Sequence, residues 1–155
     1  MRRDTRLSRM LHLLIHMDRH QQRATSETIA EMLGTNAVVV RRMMAGLRDR
    51  GYVSSRKGHG GGWELTRDLG EITLLDVYAA IGEPPLFAIG PSADRPQCLV
   101  EQAAEARLEA TLNEARALVE RRLAEVTVGD IADDFDHRWT AQTGTVCAGT
   151  RADER

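Results

Sequence analysis

The chain has 155 residues, of which 42% are hydrophobic and 28% charged, and its formal net charge is −2. This length allows one core domain with an appendage. No apolar run approaches the roughly 20 residues that cross a bilayer, and the amphipathic pattern after the basic start argues against a signal peptide. Two cysteines indicate a reducing, cytoplasmic location rather than a disulfide scaffold.

Charge is distributed unevenly along the chain. Residues 1–67 hold 13 of the 21 Lys and Arg and 6 of the 23 Asp and Glu, a net charge of +7, whereas residues 68–155 carry −9. This division predicts one module that faces a polyanion and one that faces away from it. Ordinary surface charge is the simpler alternative.

The first predicted helix covers residues 5–20. His12, His16 and His20 fall four residues apart on its polar face, a spacing that suits metal ligands. Because no carboxylate or cysteine is arranged to complete a ligand shell, we interpret this face as solvated and predict no metal and no cofactor. The apolar residues at helical spacing, which predict the buried stripe, are Leu7, Met10, Leu11, Leu14 and Met17.

Residues 24–51 are typical of two short helices joined by a tight turn. Thr25 or Ser26 can cap the start of the first helix, Gly34 can end it in the left-handed conformation, and Asn36 can cap the second. Two helices joined in this way form a helix-turn-helix, in which the second helix enters the major groove of DNA.

The second helix, over residues 36–50, is the predicted recognition helix. Its apolar residues at helical spacing predict a core-facing side, formed by Val40, Met43, Met44 and Leu47. Arginine can donate two hydrogen bonds to guanine, and valine can contact the methyl group of thymine. The predicted DNA contacts of the two helices are Thr25, Ser26, Asn36, Val38, Val39, Arg41 and Arg42.

Residues 52–65 predict a β-hairpin with a basic, glycine-rich tip, which is a wing over 55–64. The four glycines among residues 58–62 allow a tight turn and close approach to a partner, and the basic pair before them can reach phosphates. A nucleotide-binding loop is the alternative, but no helix with a Gly-Lys-Ser/Thr start follows. The predicted DNA contacts of the wing are Arg56, Lys57, Gly58, His59 and Gly60.

A further helix, capped by Thr73 and ended by Gly82, completes a predicted winged helix-turn-helix domain over 1–82. All four prolines fall in a connection over 83–98. The predicted fold class is therefore mainly α, with a small β-hairpin wing.

A long helix free of Gly and Pro is predicted over 99–126, with a length of about 42 Å. Its apolar stripe needs a surface beyond a small winged domain, so we predict a homodimer, since twofold dimers are the commonest assemblies. Packing within one chain is the alternative. With a short terminal helix this dimerisation segment spans 99–135, and 136–155 is predicted to be a flexible tail. The predicted dimer-interface residues are Leu108, Leu112, Ala115, Val119 and Leu123.

Cys98 stands directly before the long helix. A thiol at a helix N-terminus loses its proton more readily, so Cys98 is a candidate redox switch with Cys147 or the second subunit's Cys98 as resolving partner. The alternative, which we favour for want of nearby positive charge, is a partly buried, inert cysteine.

The order of these elements resembles that of the Rrf2 (BadM-type) transcription regulators over about residues 5–135. The wing motif Gly-His-Gly-Gly-Gly-Trp at 58–63, the segment Ile-Thr-Leu-Leu-Asp-Val-Tyr at 72–78 and the segment 35–42 carry the resemblance. It implies a homodimeric, usually repressing, DNA-binding protein; some members sense nitric oxide, iron–sulfur status or cysteine supply. Cluster-binding members carry three closely spaced cysteines where this chain has only Cys98, so the resemblance implies the branch without an iron–sulfur cluster.

The predicted function is that of a dimeric repressor, not an enzyme, that binds double-stranded DNA at a near-palindromic operator and responds to an unidentified effector, for which a small molecule is one candidate. A winged module that binds another protein is the alternative, because a fold alone does not fix function. A thiol enzyme based on Cys98 has little support, since no histidine lies near it in sequence.

Overall fold

The computed structural model describes residues 4–20, 23–58, 60–90 and 98–143. They are mainly helical with one two-stranded antiparallel hairpin, which confirms the predicted fold class. In chain order the elements are α1 (Arg6–His20), α2 (Ser26–Leu33), α3 (Ala37–Asp49), β1 (Val53–Arg56), β2 (Gly62–Leu65), a 3-10 turn (Leu69–Glu71), α4 (Leu74–Ala80), α5 (Leu99–Glu125) and α6 (Val128–Thr143).

One hydrophobic core joins α1, α2, α3, α4 and the hairpin. All four residues predicted for the core side of α3 are buried. On α1 the buried residues are Met10, Leu13, Leu14 and Met17, while the predicted Leu7 and Leu11 lie at the edge of the core. The amphipathic pattern therefore identified the buried faces of both helices.

The helix-turn-helix has the predicted caps. Thr25 Oγ1 accepts a hydrogen bond from the Thr28 amide at 3.1 Å, and Asn36 Oδ1 accepts one from the Val39 amide at 3.0 Å. Gly34 ends α2 with φ 59°, in the left-handed region that favours glycine. Side-chain caps satisfy backbone donors that a helix start leaves free, so the sequence itself fixes where both helices begin.

A reciprocal capping box fixes the start of α4. The Asp76 amide donates to Thr73 Oγ1 at 3.1 Å, and the Thr73 amide donates to Asp76 Oδ2 at 2.9 Å. The neighbouring backbone ties the end of α5 to this domain, since the Val128 amide donates to the Ile72 carbonyl at 2.8 Å. The long helix is thus anchored at its C-terminal end.

Helix α5 has 27 residues, which corresponds to about 40 Å, and ends at Glu125, one residue before the predicted end. It packs against α4, which has only seven residues and so spans about 10 Å. Every residue of α5 is described, and none is buried within the chain. The residues predicted for the dimer interface form a half-buried stripe along it.

The structure corrects the prediction of a flexible tail from residue 136. Helix α6 continues to Thr143, so the start of that segment is helical. Phe135 and Trp139 stack with ring centroids 5.9 Å apart, and the Arg19 guanidinium lies 4.5 Å above the Phe135 ring. Arg19 also pairs with Asp136. The two contacts of Arg19 join α6 to α1; residues 144–155, with Cys147, lie outside the described residues.

The polar face of α1 also differs from the prediction. His16 is half-buried and His12 is exposed, and both line a cleft of about 520 Å³ between α1 and α6, so this face is not fully solvated. Their Nε2 atoms lie 2.8 Å apart. In the described ranges, no group of three or more His, Cys, Asp or Glu residues is arranged to hold a metal ion. Over the same ranges, no helix combines the length and hydropathy that a membrane span requires.

Candidate nucleic-acid interface

The outer surface of α3 carries the side chains predicted to meet base edges. Val38 is 70% exposed, and Val39, Arg41 and Arg42 are also exposed. Asn36 is exposed too; its side-chain oxygen caps the helix, and its amide nitrogen can donate to a partner. The N-terminal half of α3 thus presents donors and small apolar groups, the chemistry that reads the major groove.

The two adjacent arginines of α3 are in different situations. Arg41 Nη2 lies 2.5 Å from Glu27 Oε1, so its guanidinium is joined to the first turn of α2. Within the described ranges, no hydrogen bond or ion pair restrains the side chain of Arg42. The carboxyl of Glu27 accepts a hydrogen bond from the backbone amide of Glu27 and another from Arg41, and both lower its pKa below the ordinary value. Glu27 is therefore an anion at neutral pH.

A cleft of about 420 Å³ lies between α2, α3 and the hairpin, and we call it the basic groove. Six of the residues predicted to contact DNA line it: Thr25, Ser26, Arg41, Arg56, Lys57 and Gly58. Its described lining contains four cationic side chains and one carboxylate, that of Glu27. Cations from α3 and from the hairpin therefore converge on one surface, whose net charge is positive.

Arg48 is the fourth cation of the basic groove and was not among the predicted contacts. It lies in the last turn of α3, where its Nη2 donates to Asp49 Oδ1 at 3.0 Å. Arg41 and Arg48 are seven residues apart, which places both on one side of a helix. That spacing was visible in the sequence and could have added Arg48 to the predicted contacts.

Ser26 is the exception among the predicted contacts, because the structure buries it. The residue is 8% exposed, and its Oγ accepts a hydrogen bond from Trp63 Nε1 at 2.9 Å. The backbone of Ala24 also exchanges two hydrogen bonds with that of Trp63. Ser26 therefore fastens the wing to α2 and has no exposed hydroxyl to offer to DNA.

The tip of the wing explains its glycines. The Gly61 amide donates to the Gly58 carbonyl at 2.9 Å, which closes a tight turn. Gly58 and Gly60 have φ of 94° and 74°, values that residues with a Cβ rarely adopt. The turn carries Lys57 directly after β1, where its ammonium group is exposed at the groove. His59, another predicted contact, lies outside the described residues.

Cys98 occupies the N-cap position of α5. It is exposed, rather than partly buried, and its side chain makes no capping hydrogen bond. The chain has two cysteines in all, whereas a [2Fe–2S] centre takes about four protein ligands. The cysteine content therefore does not fit a cysteine-ligated cluster.

Comparison with known proteins gives consistent matches along the chain. The family described as "Rrf2: Iron-dependent Transcriptional regulator" matches residues 3–134. The "Putative HTH-type transcriptional regulator YwnA" of Bacillus subtilis is 34% identical over 131 residues, which cover 83% of this chain and 95% of the relative.

Solved structures show the same fold. The crystal structure of a "putative transcriptional regulator" from Lactobacillus plantarum has a TM-score of 0.72 at 23% identity and covers 90% of this chain and 95% of that one. CymR, the global cysteine regulator of B. subtilis, has a TM-score of 0.56 at 19% identity and covers 86% and 97%.

Proposed function

Since the chain belongs to the Rrf2 family of transcriptional regulators, we propose that it is a homodimeric repressor that binds a near-palindromic operator through α3 and the wing. Family membership confirms the prediction of a DNA-binding regulator rather than an enzyme. The observation that carries the finer proposal is the basic groove, where cations of α3 and the wing converge. As a DNA-bound regulator it would act in the cytoplasm.

The groove supports a division of labour between two kinds of contact. Phosphate contacts fix the position of a protein on the duplex, whereas contacts to base edges carry sequence information. Lys57 is an exposed ammonium group beside a glycine-rich turn, which suits a phosphate. Arg42 stands on the exposed side of a helix that is fixed by its core residues, which suits a base edge.

Helix α5 supports the dimer. A helix of about 40 Å in which no residue is buried extends well beyond α4, which spans only about 10 Å. A second copy can cover this length and place two recognition helices about 34 Å apart, one turn of DNA. A signal that changed how the two helices cross would change this separation and release the operator.

Two substitutions test the division of labour. Arg42→Ala is expected to weaken binding to the operator by about 10-fold or more while binding to unrelated duplexes changes little, because a base contact is lost. Lys57→Ala is expected to weaken binding to all duplexes alike, because one phosphate contact is lost. The slope of the logarithm of the binding constant against the logarithm of the salt concentration should become shallower by about one unit. Fluorescence anisotropy over a range of salt concentrations measures both.

The wild-type protein is the control for both variants, and circular dichroism checks that each is folded. If the two variants lost the same factor on operator and unrelated DNA, the assignment of base and phosphate contacts would be wrong. If the wild-type protein bound no duplex in dilute buffer, the proposed function itself would fail.

A further inference from the structure

The ion pair between Glu27 and Arg41 links the two helices of the helix-turn-helix at the surface of the basic groove. The two side chains are 62% and 56% exposed, respectively, and are separated by 14 residues in sequence. Pairs this exposed add little to the stability of a fold, because water screens the attraction and two long side chains lose freedom. The pair therefore calls for an explanation other than stability.

The position of Glu27 is unfavourable for simple attraction to DNA. It is the one carboxylate among the described residues that line the basic groove, and a carboxylate repels phosphates. Its charge cancels that of Arg41, so the pair adds little to the attraction that any duplex feels. A surface that served only for non-specific binding would bind DNA more tightly without the Glu27 carboxylate.

The chemistry of arginine explains what the pair can add instead. A guanidinium group has five N–H donors in a rigid plane. In Arg41, the Nη2 atom of this group donates to Glu27. The donors that are left can still form the paired hydrogen bonds with the O6 and N7 atoms of guanine. Held at one edge, the group loses less freedom when it meets a base and is drawn away from phosphates.

We propose that Glu27 is a specificity-determining residue, which holds Arg41 by one edge for a base contact and penalises duplexes that offer only phosphates. This inference rests on the proposed function, since it concerns the same DNA-binding surface. Glu27 acts through Arg41 and is therefore a positioning residue for readout. It differs from the phosphate-binding cations of the wing, which strengthen binding to every sequence.

The test is Glu27→Gln in the full chain, measured on an operator duplex and on a scrambled duplex of the same length and composition. Loss of the carboxylate charge should tighten binding to the scrambled duplex several-fold and leave the operator unchanged or weaker. The ratio of the two affinities should then fall by about 10-fold, which is the loss of one good base contact. Binding to the scrambled duplex should also become more dependent on salt.

Glu31→Gln is the matched control, because Glu31 is an exposed carboxylate of α2 that does not line the groove. It removes the same charge from the same helix and should leave the affinity ratio unchanged. In an Arg41→Gln background, Glu27→Gln should no longer change the ratio, since the side chain that it positions is gone.

If Glu27→Gln raised the affinity for both duplexes equally, with an unchanged ratio, the inference would be overturned. Glu27 would then only weaken DNA binding in general. An equal effect of Glu31→Gln would also overturn the inference. The proposed function fails by a different result, in which the wild-type protein does not distinguish the operator from the scrambled duplex, and the inference then falls with it.

Discussion

Leu112→Asp is expected to convert the proposed dimer into a monomer and to weaken operator binding by about 100-fold or more. Leu112 lies in the half-buried stripe of α5 and is not among the residues that form or pack against the hydrophobic core. A charge in an apolar interface has no water and no partner, so the two copies separate. One recognition module then binds without the second, and the gain from bivalent binding, about 10²–10⁴-fold, is lost.

Sedimentation measures the assembly, and anisotropy with an operator duplex measures the binding. Asn113→Asp is the matched control, because it adds the same charge at the next residue, on the exposed side of α5. We expect that variant to stay dimeric. A dimeric Leu112→Asp protein, or a monomeric Asn113→Asp protein, would show that the predicted stripe is not the interface.

Gly46→Ala is expected to destabilise the protein by about 2 kcal/mol or more, although alanine is the better helix former by about 1 kcal/mol. A Cβ at this position would lie 1.9 Å from the Ala80 carbonyl oxygen and 2.9 Å from its carbon. Both atoms belong to backbone, so no side-chain rotation relieves the overlap. Helices α3 and α4 would have to move apart, which also displaces the recognition helix.

Urea denaturation measures the free energy of unfolding of this variant. Gly90→Ala is the control, because a Cβ there meets nothing within 4 Å and the backbone is not in the left-handed region. It should unfold at the same urea concentration as the wild-type protein. A Gly46→Ala protein of wild-type stability would mean that α3 and α4 do not approach each other as described.

Local chemistry made the helix-turn-helix predictable. The caps of α2 and α3 use side chains within three residues of the groups they bind, and the buried face of α3 follows from helical spacing. Such features depend on residues that are close in sequence, so the sequence alone reveals them. The glycine-rich tip of the wing was predictable for the same reason, since its positive φ angles are a local demand.

Contacts between distant residues explain what the sequence did not reveal. Ser26 was predicted as a helix cap and DNA contact, but its hydroxyl accepts a hydrogen bond from Trp63, which is 37 residues away in sequence. The polar composition after residue 135 suggested a tail, whereas Arg19, 117 residues before Asp136, holds that stretch on α1. The pairing of Glu27 with Arg41 was hidden likewise, because no short-range pattern links them.

Selection of bound duplexes from a pool of random DNA tests the central claim most directly. If two copies of α3 read successive major grooves, the enriched sequences should contain two inverted half-sites with centres about 10–10.5 base pairs, or a multiple of this, apart. Enrichment of no sequence, or of a single half-site bound by one protomer, would contradict the account.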